Sequence, residues 1–347
     1  MPANRLSDDR VHVPGYLNTA SVGLPSHATA AAMHDTVARW HQGVFAPAEA
    51  NQAVAECRER FGHLVGADPA DVAIATQVST MVGVVATSLP AGARVVCADQ
   101  EFTSVLFPFL ARADLDVDLV PLENLVDAID DDTDLVAFAV VQSADGRIVD
   151  VDAVSRAAAA HGARTLADAT QACGWFPVDA GRVDYLLAAA YKWLTAPRGS
   201  VFFVADADAR SHLTPALAGY YAADDADNPH FGPPLRLYDD ARGFDISPAW
   251  FSWVGTATAL ADLERLGVKA VHDHDVALAA AVRDALELPE TGSAITCVPV
   301  SEAQTAAARA AGIRAGVRLG RLRLAFHHYN NDDDVDLVVD VLRSSAG

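Results

Sequence analysis

Lysine is almost missing from this chain of 347 residues: of its 25 basic residues 23 are arginine, and only Lys192 and Lys269 are lysine. Chemistry that needs a lysine amine therefore has two candidates. Basic residues are also few compared with acidic ones, 25 against 46, so the formal net charge is −21. A charge of this sign argues against a nucleic-acid backbone or an anionic membrane as the main partner, so we expect neither.

Cysteine and long apolar runs are also scarce. The four cysteines, at positions 57, 97, 173 and 297, are widely spaced and form no CxxC pair. Such spacing argues against a disulfide framework or a zinc site and favours a reducing compartment. No apolar run reaches about 18 residues, and the N-terminus lacks the apolar segment of a signal peptide. We therefore expect a cytoplasmic protein.

Several common motifs are absent. The chain has no GxGxxG after its first strand, no GxxxxGK[ST] and no GxSxG, which are the usual dinucleotide, P-loop and hydrolase signatures. The run His272-Asp273-His274-Asp275 resembles a metal motif. On a helix, however, side chains at i and i+2 point apart, so we expect a solvated helix face rather than a set of metal ligands.

Short apolar runs alternate with helical patterns through the middle of the chain, which predicts a mainly parallel sheet with helices on both faces. The last two strands of this region are joined by a short turn containing Pro and Gly, which favours an antiparallel pair. The predicted strands are Val72–Thr76, Arg94–Ala98, Val117–Pro121, Leu135–Gln142, Arg164–Ala167, Tyr185–Ala190 and Ser200–Ala205.

Three regions follow from the pattern. Residues 1–25 form an N-terminal segment that we expect on the substrate side of the site. Residues 26–245 form a large α/β domain that ends in a loop at 222–245, rich in Asp, Pro and Gly. Residues 246–347 form a small C-terminal α+β domain, with predicted strands Ala294–Pro299, Ile313–Val317 and Arg321–Phe326.

Asp168 and Lys192 carry the clearest chemical signal, since each stands at the end of a predicted strand. In an open α/β sheet, the carboxyl ends of the strands converge on the ligand crevice. A pyridoxal phosphate (PLP) site requires these two groups: the amine forms a Schiff base, and the carboxylate keeps the pyridine nitrogen protonated. Either residue alone fits a helix cap or a surface lysine better. Together, in a chain with two lysines, they favour PLP.

The segment Asp-Ala-x-Gln at 168–171, followed by Tyr-Lys-Trp-Leu-x-x-Pro-x-Gly at 191–199, resembles the class V aminotransferase group of fold-type I PLP enzymes. That group includes cysteine desulfurases, isopenicillin-N-epimerase-like proteins and kynureninase. Residues 16–20 and 322–330 extend the resemblance over most of the chain. It implies a sheet of about seven strands with helices on both faces, a bound PLP, an amino-acid substrate and a homodimer with shared active sites.

The resemblance also implies roles for individual residues around the cofactor. Lys192 matches the Schiff-base lysine, Asp168 the partner of the pyridine nitrogen, and Gln171 the amide near the ring hydroxyl. Ser79 and Thr80 match the strand-to-helix turn that cradles the phosphate. Exposed N–H groups and hydroxyls at a helix N-terminus also form an anion site on physical grounds, although simple N-capping has the same geometry.

Other positions match the family at the edges of the site. Phe102 would stack on the pyridine ring, although a core phenylalanine explains it equally well. Tyr191 would reach the phosphate, and Thr256 lies in a Gly-Thr segment that reaches the phosphate of the partner subunit in the family. Asn18 is a candidate for substrate binding. Ser143 stands where family members often carry Asn.

Arg323 is the candidate for holding the substrate carboxylate. A guanidinium fork binds a carboxylate through two parallel hydrogen bonds, which fixes the orientation of an amino acid. Without the motif, an arginine paired with a surface acid would be the default interpretation in a chain with 23 arginines.

One departure from the family concerns the reaction. Cysteine desulfurases carry a reactive Cys on the loop before the arginine strand, whereas residues 311–320 contain none. Cys297 lies in an apolar run and is predicted to be a buried strand residue. We therefore expect a side-chain-eliminating lyase of the carbon–sulfur type, acting through an external aldimine from which Lys192 removes the Cα proton. An aminotransferase, an epimerase and a non-catalytic PLP-binding protein are the alternatives, in that order.

Overall fold

The computed structural model describes residues 11–224 and 231–345 of the chain. Residues 1–10 of the predicted N-terminal segment and residues 225–230 of the predicted loop at 222–245 lie outside the described residues. None of the described helices is both long enough and apolar enough to cross a membrane.

Seven strands form the main sheet, in the spatial order β1-β7-β6-β5-β4-β2-β3. Their pairing is parallel except at β7, which runs antiparallel to both of its neighbours, β1 and β6. The predicted mainly parallel sheet and the antiparallel pair at its end are therefore confirmed. The strands are β1 (Val72–Ala75), β2 (Arg94–Ala98), β3 (Asp116–Val120), β4 (Thr133–Ala139), β5 (Arg164–Asp168), β6 (Tyr185–Ala189) and β7 (Val201–Val204).

Helices cover both faces of this sheet, as its almost entirely buried inner strands require. Alternate residues of β1 show the two faces, since Ile74 packs with Phe61 and Leu260, whereas Ala75 packs with Met81 and the neighbouring helices. The helices are α1 (His27–His41), α2 (Pro47–Val65), α3 (Val78–Ser88), α4 (Thr103–Leu110), α5 (Val151–His161), α6 (Ala207–Ser211), α7 (Trp250–Leu266), α8 (Val268–Ala285), α9 (Glu302–Ala310) and α10 (Asp332–Ser344).

A second sheet of three antiparallel strands lies in the C-terminal region, in the order β8-β10-β9. Its strands are β8 (Ile295–Pro299), β9 (Gly316–Arg318) and β10 (Arg321–Ala325), so the strand expected at 313–317 begins later than predicted. The N-terminal segment runs beside this sheet, because Asn18 bridges to Ala325. Helix α7 packs against α1 and α2 on the large sheet. The domain boundary at residue 246 remains a prediction.

The expectation of a solvated face at His272-Asp273-His274-Asp275 is wrong for Asp275. This residue lies in α8 and is fully buried, in line with Val271 and Leu278 on the inner face of the helix. Its carboxylate contacts His274 Nδ1 at 2.9 Å and His327 Nδ1 at 2.7 Å. Only a tertiary partner explains a buried acid at this position, and the partner lies in a distant part of the sequence.

Candidate active site

The predicted site residues follow strands that end at one edge of the main sheet. Strands β2, β4, β5 and β6 are parallel, and β1 runs in the same direction because β7 is antiparallel to both β1 and β6. At or shortly after the carboxyl ends of these five strands lie the turn at 76–80, Phe102, Ser143, Asp168 and Lys192. The topology therefore brings these candidates to one crevice.

Lys192 is buried, with 5% of its surface exposed, in the turn after β6. Its Nζ lies 5.2 Å from the ring centroid of Phe102 and 5.8 Å from that of Tyr191. Burial lowers the pKa of the Lys192 amine to about 8, and the nearby Asp168 carboxylate opposes that shift. An amine of this pKa is partly neutral at physiological pH and can act as a nucleophile or a base.

The turn that carries Lys192 is fixed from several sides. The Gly23 N–H donates to the Tyr191 carbonyl at 2.9 Å, and a Cβ at Gly23 would lie 2.0 Å from the Lys192 carbonyl oxygen. Such an approach is possible only for glycine. His327 Nε2 donates to the Trp193 carbonyl at 2.9 Å. The backbone around the reactive lysine is thus held in one position by the N-terminal segment and by the residues after β10.

Asp168 is the last residue of β5 and is buried, with 4% exposure. Its carboxylate accepts a hydrogen bond from the Thr170 N–H at 2.8 Å. Desolvation raises the pKa of the Asp168 carboxyl, and Lys192 opposes that shift. In the part of the chain that the structure describes, no basic side chain forms an ion pair with Asp168. A buried carboxylate of this kind suits a protonated ring nitrogen as its partner.

Phe102 is 40% exposed, so it is not a core phenylalanine, and its ring faces the Lys192 amine. The neighbouring Glu101 holds its backbone, since this buried carboxylate accepts from the Phe102 N–H at 2.7 Å. Glu101 also accepts from the Ala139 N–H at 2.8 Å and from Gln142 Nε2 at 3.0 Å, which ties the end of β2 to the end of β4. Glu101 was not among the predicted site residues.

Gln171, Ser143 and Arg323 form one hydrogen-bonded chain. Gln171 Nε2 donates to Ser143 Oγ at 3.1 Å, and its Oε1 accepts from Trp193 Nε1 at 2.8 Å. Arg323 Nη1 donates to the Ser143 hydroxyl at 3.1 Å and to the Ser143 carbonyl. Arg323 Nη2 donates to Ser21 Oγ at 2.9 Å. Ser21 was not predicted, although it follows the matched segment 16–20 directly.

Arg323 is only 1% exposed and, among the described residues, has no carboxylate within ion-pair distance. Its Nε is buried without a hydrogen-bond partner, and the same holds for Asn18 Oδ1. Desolvation lowers the pKa of the Arg323 guanidinium to about 10, and the positive charge of Arg318 acts in the same direction. A buried guanidinium with a free donor is the arrangement that a substrate carboxylate would complete.

The N-terminus of α3 provides the predicted anion site. Gln77 is its N-cap, and the Gln77 side chain accepts no hydrogen bond from the first-turn N–H groups. Ser79 and Thr80 are half-buried in that turn, so their hydroxyls can join the same site. A further positive charge lies close by, because the Arg198 guanidinium is 5.3 Å from the Tyr191 ring. Arg198 was not predicted; its signal was the position in the Pro-Arg-Gly turn after the lysine.

Thr256 is not brought to the crevice. It lies inside α7 and is fully buried, with its Oγ1 2.7 Å from Ser200 Oγ and donating to the Ser252 carbonyl at 2.8 Å. This placement does not fit the prediction that Thr256 reaches the phosphate of a partner subunit, because a fully buried hydroxyl contacts nothing outside its own subunit.

Cys297 lies in the middle of β8, half-buried and directly opposite Arg323. Its Sγ donates to the Ala144 carbonyl at 3.5 Å, and burial raises the pKa of the thiol to about 11. The thiol is therefore neutral at physiological pH and a poor nucleophile. Residues 311–320 form the short connection that leads through β9 into β10, without a cysteine.

The residues at this crevice fit PLP. Lys192 offers a buried amine of lowered pKa, Asp168 a buried carboxylate without a basic hydrogen-bond partner, and α3 an uncapped N-terminus for the phosphate. The unpartnered Nε of Arg323 leaves a donor for the carboxylate of an amino acid.

Comparisons with known proteins agree with this geometry. The chain is 27% identical to an uncharacterised aminotransferase, YcbU, of Bacillus subtilis, over 86% of the chain and 85% of the relative. It is 24% identical to isopenicillin N epimerase of Streptomyces clavuligerus, over 84% of each protein. The solved structure of the cystine C–S lyase C-DES with cysteine persulfide superposes with a TM-score of 0.86 at 16% identity, covering 96% of this chain and 98% of that one.

This last similarity, at low sequence identity, confirms the predicted fold-type I architecture. The sequence model of the family described as aminotransferase class-V matches residues 18–308, which is most of the chain. The protein therefore belongs to the class-V aminotransferase family and is a PLP-dependent enzyme.

Proposed function

We propose that this enzyme is a lyase that eliminates a leaving group, of the carbon–sulfur type, from the side chain of an amino acid. The observation that carries the proposal is the sulfur chemistry of the site. The connection at 311–320 has no cysteine, and the neighbouring Cys297 is a neutral thiol with a pKa of about 11. With no thiolate to accept sulfur from the substrate, the released group leaves as a free product rather than as an enzyme persulfide.

Each charged residue of the crevice has a distinct task in this reaction. When bound, PLP supplies an electron sink that stabilises negative charge at the substrate Cα. Lys192, with its pKa of about 8, takes the Cα proton and holds it. Arg323 binds the substrate carboxylate and fixes the direction of the Cα–H bond, and Asp168 keeps a positive charge at the ring nitrogen. Phe102 shields the amine from water on one side.

An aminotransferase is the second candidate. It is favoured by the relative YcbU, which is named as an aminotransferase and matches most of this chain. The same residues would serve it, since Lys192 would again take the Cα proton and Arg323 would again hold the substrate carboxylate. Epimerisation ranks third, on the weaker similarity to isopenicillin N epimerase. The intact set of Lys192, Asp168 and Arg323 argues against a non-catalytic PLP-binding protein.

A panel of amino acids tests the reaction. The purified holoenzyme, which should be yellow, is incubated with β-substituted amino acids such as O-acetylserine and cystine, with and without pyruvate as amino acceptor. Pyruvate plus ammonia formed without an acceptor supports the lyase. A keto acid formed only with an acceptor supports the aminotransferase, and loss of optical activity alone supports the epimerase.

Lys192→Ala should lose both the covalent attachment of the cofactor and all turnover, whereas Lys269→Ala, the exposed second lysine, should lose neither.

We also propose that the enzyme is a cytoplasmic homodimer. Large apolar side chains on the outside of the subunit support a second copy as the covering partner, namely Val37 and Trp40 on α1, and Phe107 and Leu110 on α4. Light scattering should then return twice the chain mass of 36.5 kDa. Four cysteines without disulfides support a reducing cytoplasm.

A further inference from the structure

The hairpin of β9 and β10 presents arginines beside the carboxylate site. Its two-residue turn, Leu319-Gly320, has positive φ at both positions (48° and 73°), which is the geometry of a tight hairpin turn. The turn fixes Arg318 opposite Arg321 and Gly316 opposite Arg323. Because side chains alternate along a strand, these four positions share one face of the small sheet.

Arg318 folds back along that face toward Arg323. Its Nη1 lies 3.4 Å from the position that a Cβ of Gly316 would occupy, and Asn18 Oδ1 lies 3.6 Å from the same point. Gly316 does not have a positive φ, so its backbone does not require glycine. The missing side chain instead leaves space between the Arg318 guanidinium, the unpartnered Asn18 oxygen and the buried Arg323.

The charge of Arg318 is not neutralised by the chain. Among the described residues no acid lies within ion-pair distance, and the one described hydrogen bond of Arg318 is to the Val317 carbonyl at 2.9 Å. A cavity of about 650 Å³ opens beside Arg318 and is also lined by Arg321 and three acids. Of these acids, Glu123 and Asp145 pair with Arg147 at 3.2 Å and 2.8 Å, and Asp99 forms no described ion pair with Arg318.

Three guanidinium groups, those of Arg318, Arg321 and Arg323, therefore lie on one face in a chain of net charge −21, and none of them forms an ion pair with a described residue. The positive charge of Arg318 contributes to the lowered pKa values of both Lys192 and Arg323, as expected for a group that faces the crevice. One carboxylate can neutralise the buried Arg323, whereas Arg318 is exposed and its guanidinium can bind a second anion.

We propose that Arg318 binds a second anionic group, at the far end of the substrate side chain, while Arg323 binds the α-carboxylate. The substrate class is then the amino acids that carry a negative charge on the side chain, such as a carboxylate or a sulfonate. This inference rests on the proposed function, because it takes Arg323 as the site of the α-carboxylate. The bound group would reach Arg318 over Gly316, which has no side chain to obstruct it.

Binding to the holoenzyme tests this, with the visible absorbance of the bound cofactor as the readout. Titrations compare acids with amides of the same size, L-aspartate with L-asparagine and L-glutamate with L-glutamine. In the wild type, at least one acid should bind about 10-fold or more tightly than its amide. Arg318→Ala should weaken binding of that acid by about 10- to 100-fold and change binding of the amide by less than about 2-fold. Arg318→Lys should recover part of the loss.

Arg309→Ala is the matched control, because it removes the same charge from an exposed position on α9 in the same region. It should leave every affinity unchanged. Equal losses for acid and amide in Arg318→Ala, or no preference for acids in the wild type, overturn the inference but leave the lyase proposal intact. A weaker retention of the cofactor in Arg318→Ala also overturns it, since Arg318 would then serve the phosphate. A holoenzyme whose absorbance responds to no amino acid overturns the proposed function together with this inference.

Discussion

Among single residues, Lys192 shows most directly how burial produces chemistry. An ordinary lysine is almost fully protonated at neutral pH, whereas burial beside Phe102 and Tyr191 lowers the pKa of this amine to about 8. Nearby arginines shift it in the same direction, and Asp168 opposes them. The fold therefore bears an unfavourable charge at this position.

Lys192→Met should stabilise the cofactor-free protein at neutral pH. The pKa of Lys192 is about 8 in the folded state and 10.5 in a solvated chain. Below pH 8 the buried amine is charged, and its replacement by an apolar side chain should raise the free energy of unfolding by up to about 3 kcal/mol. Between pH 8 and 10.5 the unfolded chain binds the extra proton, so the wild type gains stability as the pH rises and the advantage of the variant shrinks. Urea unfolding of both proteins at several pH values measures this difference.

Groups that do not interact with Lys192 titrate alike in both proteins and cancel in the difference between the two free energies. Asp168 loses the favourable charge of Lys192 in the variant, which reduces the expected gain. Lys269→Met is the control, because Lys269 is exposed in its pair with Asp273. It should show no such dependence on pH. A Lys192→Met variant whose stability difference stays constant from pH 7 to 10 would contradict a lowered pKa.

The residues of the crevice differ in how well sequence could predict them. Lys192 and Asp168 stand at the ends of strands whose apolar pattern is clear, so the topology alone brings them to one edge. Arg318 and Ser21 reach the site through turns, and no periodicity in the sequence determines the course of a turn. Thr256 followed from a short Gly-Thr match, but α7 begins six residues earlier and directs its hydroxyl into the subunit.

At the scale of elements, the turn after β6 depends on a buried polar contact between α8 and the residues after β10. The Trp193 carbonyl can only accept, so His327 Nε2 carries a proton. The other nitrogen of the ring, Nδ1, lies at hydrogen-bond distance, 2.7 Å, from Asp275 Oδ2. All these groups are fully buried, so each one needs its partner.

Asp275→Ala should destabilise the protein by about 3 kcal/mol, because it leaves the buried imidazole of His327 without its partner. Asp275→Asn, which keeps an acceptor for His327 Nδ1, should lose less. Since His327 holds the Trp193 carbonyl next to Lys192, Asp275→Ala should also release the cofactor faster. Chemical denaturation gives the stability, and the decay of the visible absorbance during dialysis gives the rate of release.

Asp273→Ala provides the comparison within the same helix, since Asp273 is exposed in a surface pair with Lys269. The Asp273→Ala variant should change neither the free energy of unfolding nor the rate of cofactor release measurably. Cofactor release that is the same in the Asp275→Ala variant and in the wild type would show that His327 does not hold the lysine turn.

Elements with a strong apolar pattern could be predicted closely, and the contacts between them could not. Each predicted strand of the main sheet overlaps an observed strand, because burial on both faces gives the inner strands short continuous apolar runs in the sequence. The run at 272–275 was misread at Asp275 for the opposite reason. A buried carboxylate looks like a surface residue until its partner is known, and His327 lies 52 residues away along the chain.

Across the whole molecule, the acidic excess and the basic crevice oppose each other. The chain has a net charge of −21, yet Arg198, Arg318 and Arg323 all act on Lys192. The acids therefore lie mainly outside the crevice, where their mutual repulsion acts on the fold as a whole. Repulsion of this kind between exposed charges is screened by salt, whereas buried contacts such as Asp275 with His327 are screened much less.

Moderate salt should therefore stabilise the holoenzyme near pH 8. An increase from about 0.01 M to 0.15 M NaCl shortens the Debye length from about 30 Å to 8 Å, and we expect Tm to rise by about 2–5 °C, with most of the change in this range. The same titration at pH 5, close to the sequence pI of 4.7, is the control, because the net charge there is small and the rise should be much smaller. Differential scanning calorimetry at saturating PLP measures both series. A Tm that falls with salt at pH 8 would mean that attractive surface pairs outweigh the repulsion, and an equal rise at both pH values would point to a general effect of salt on apolar burial.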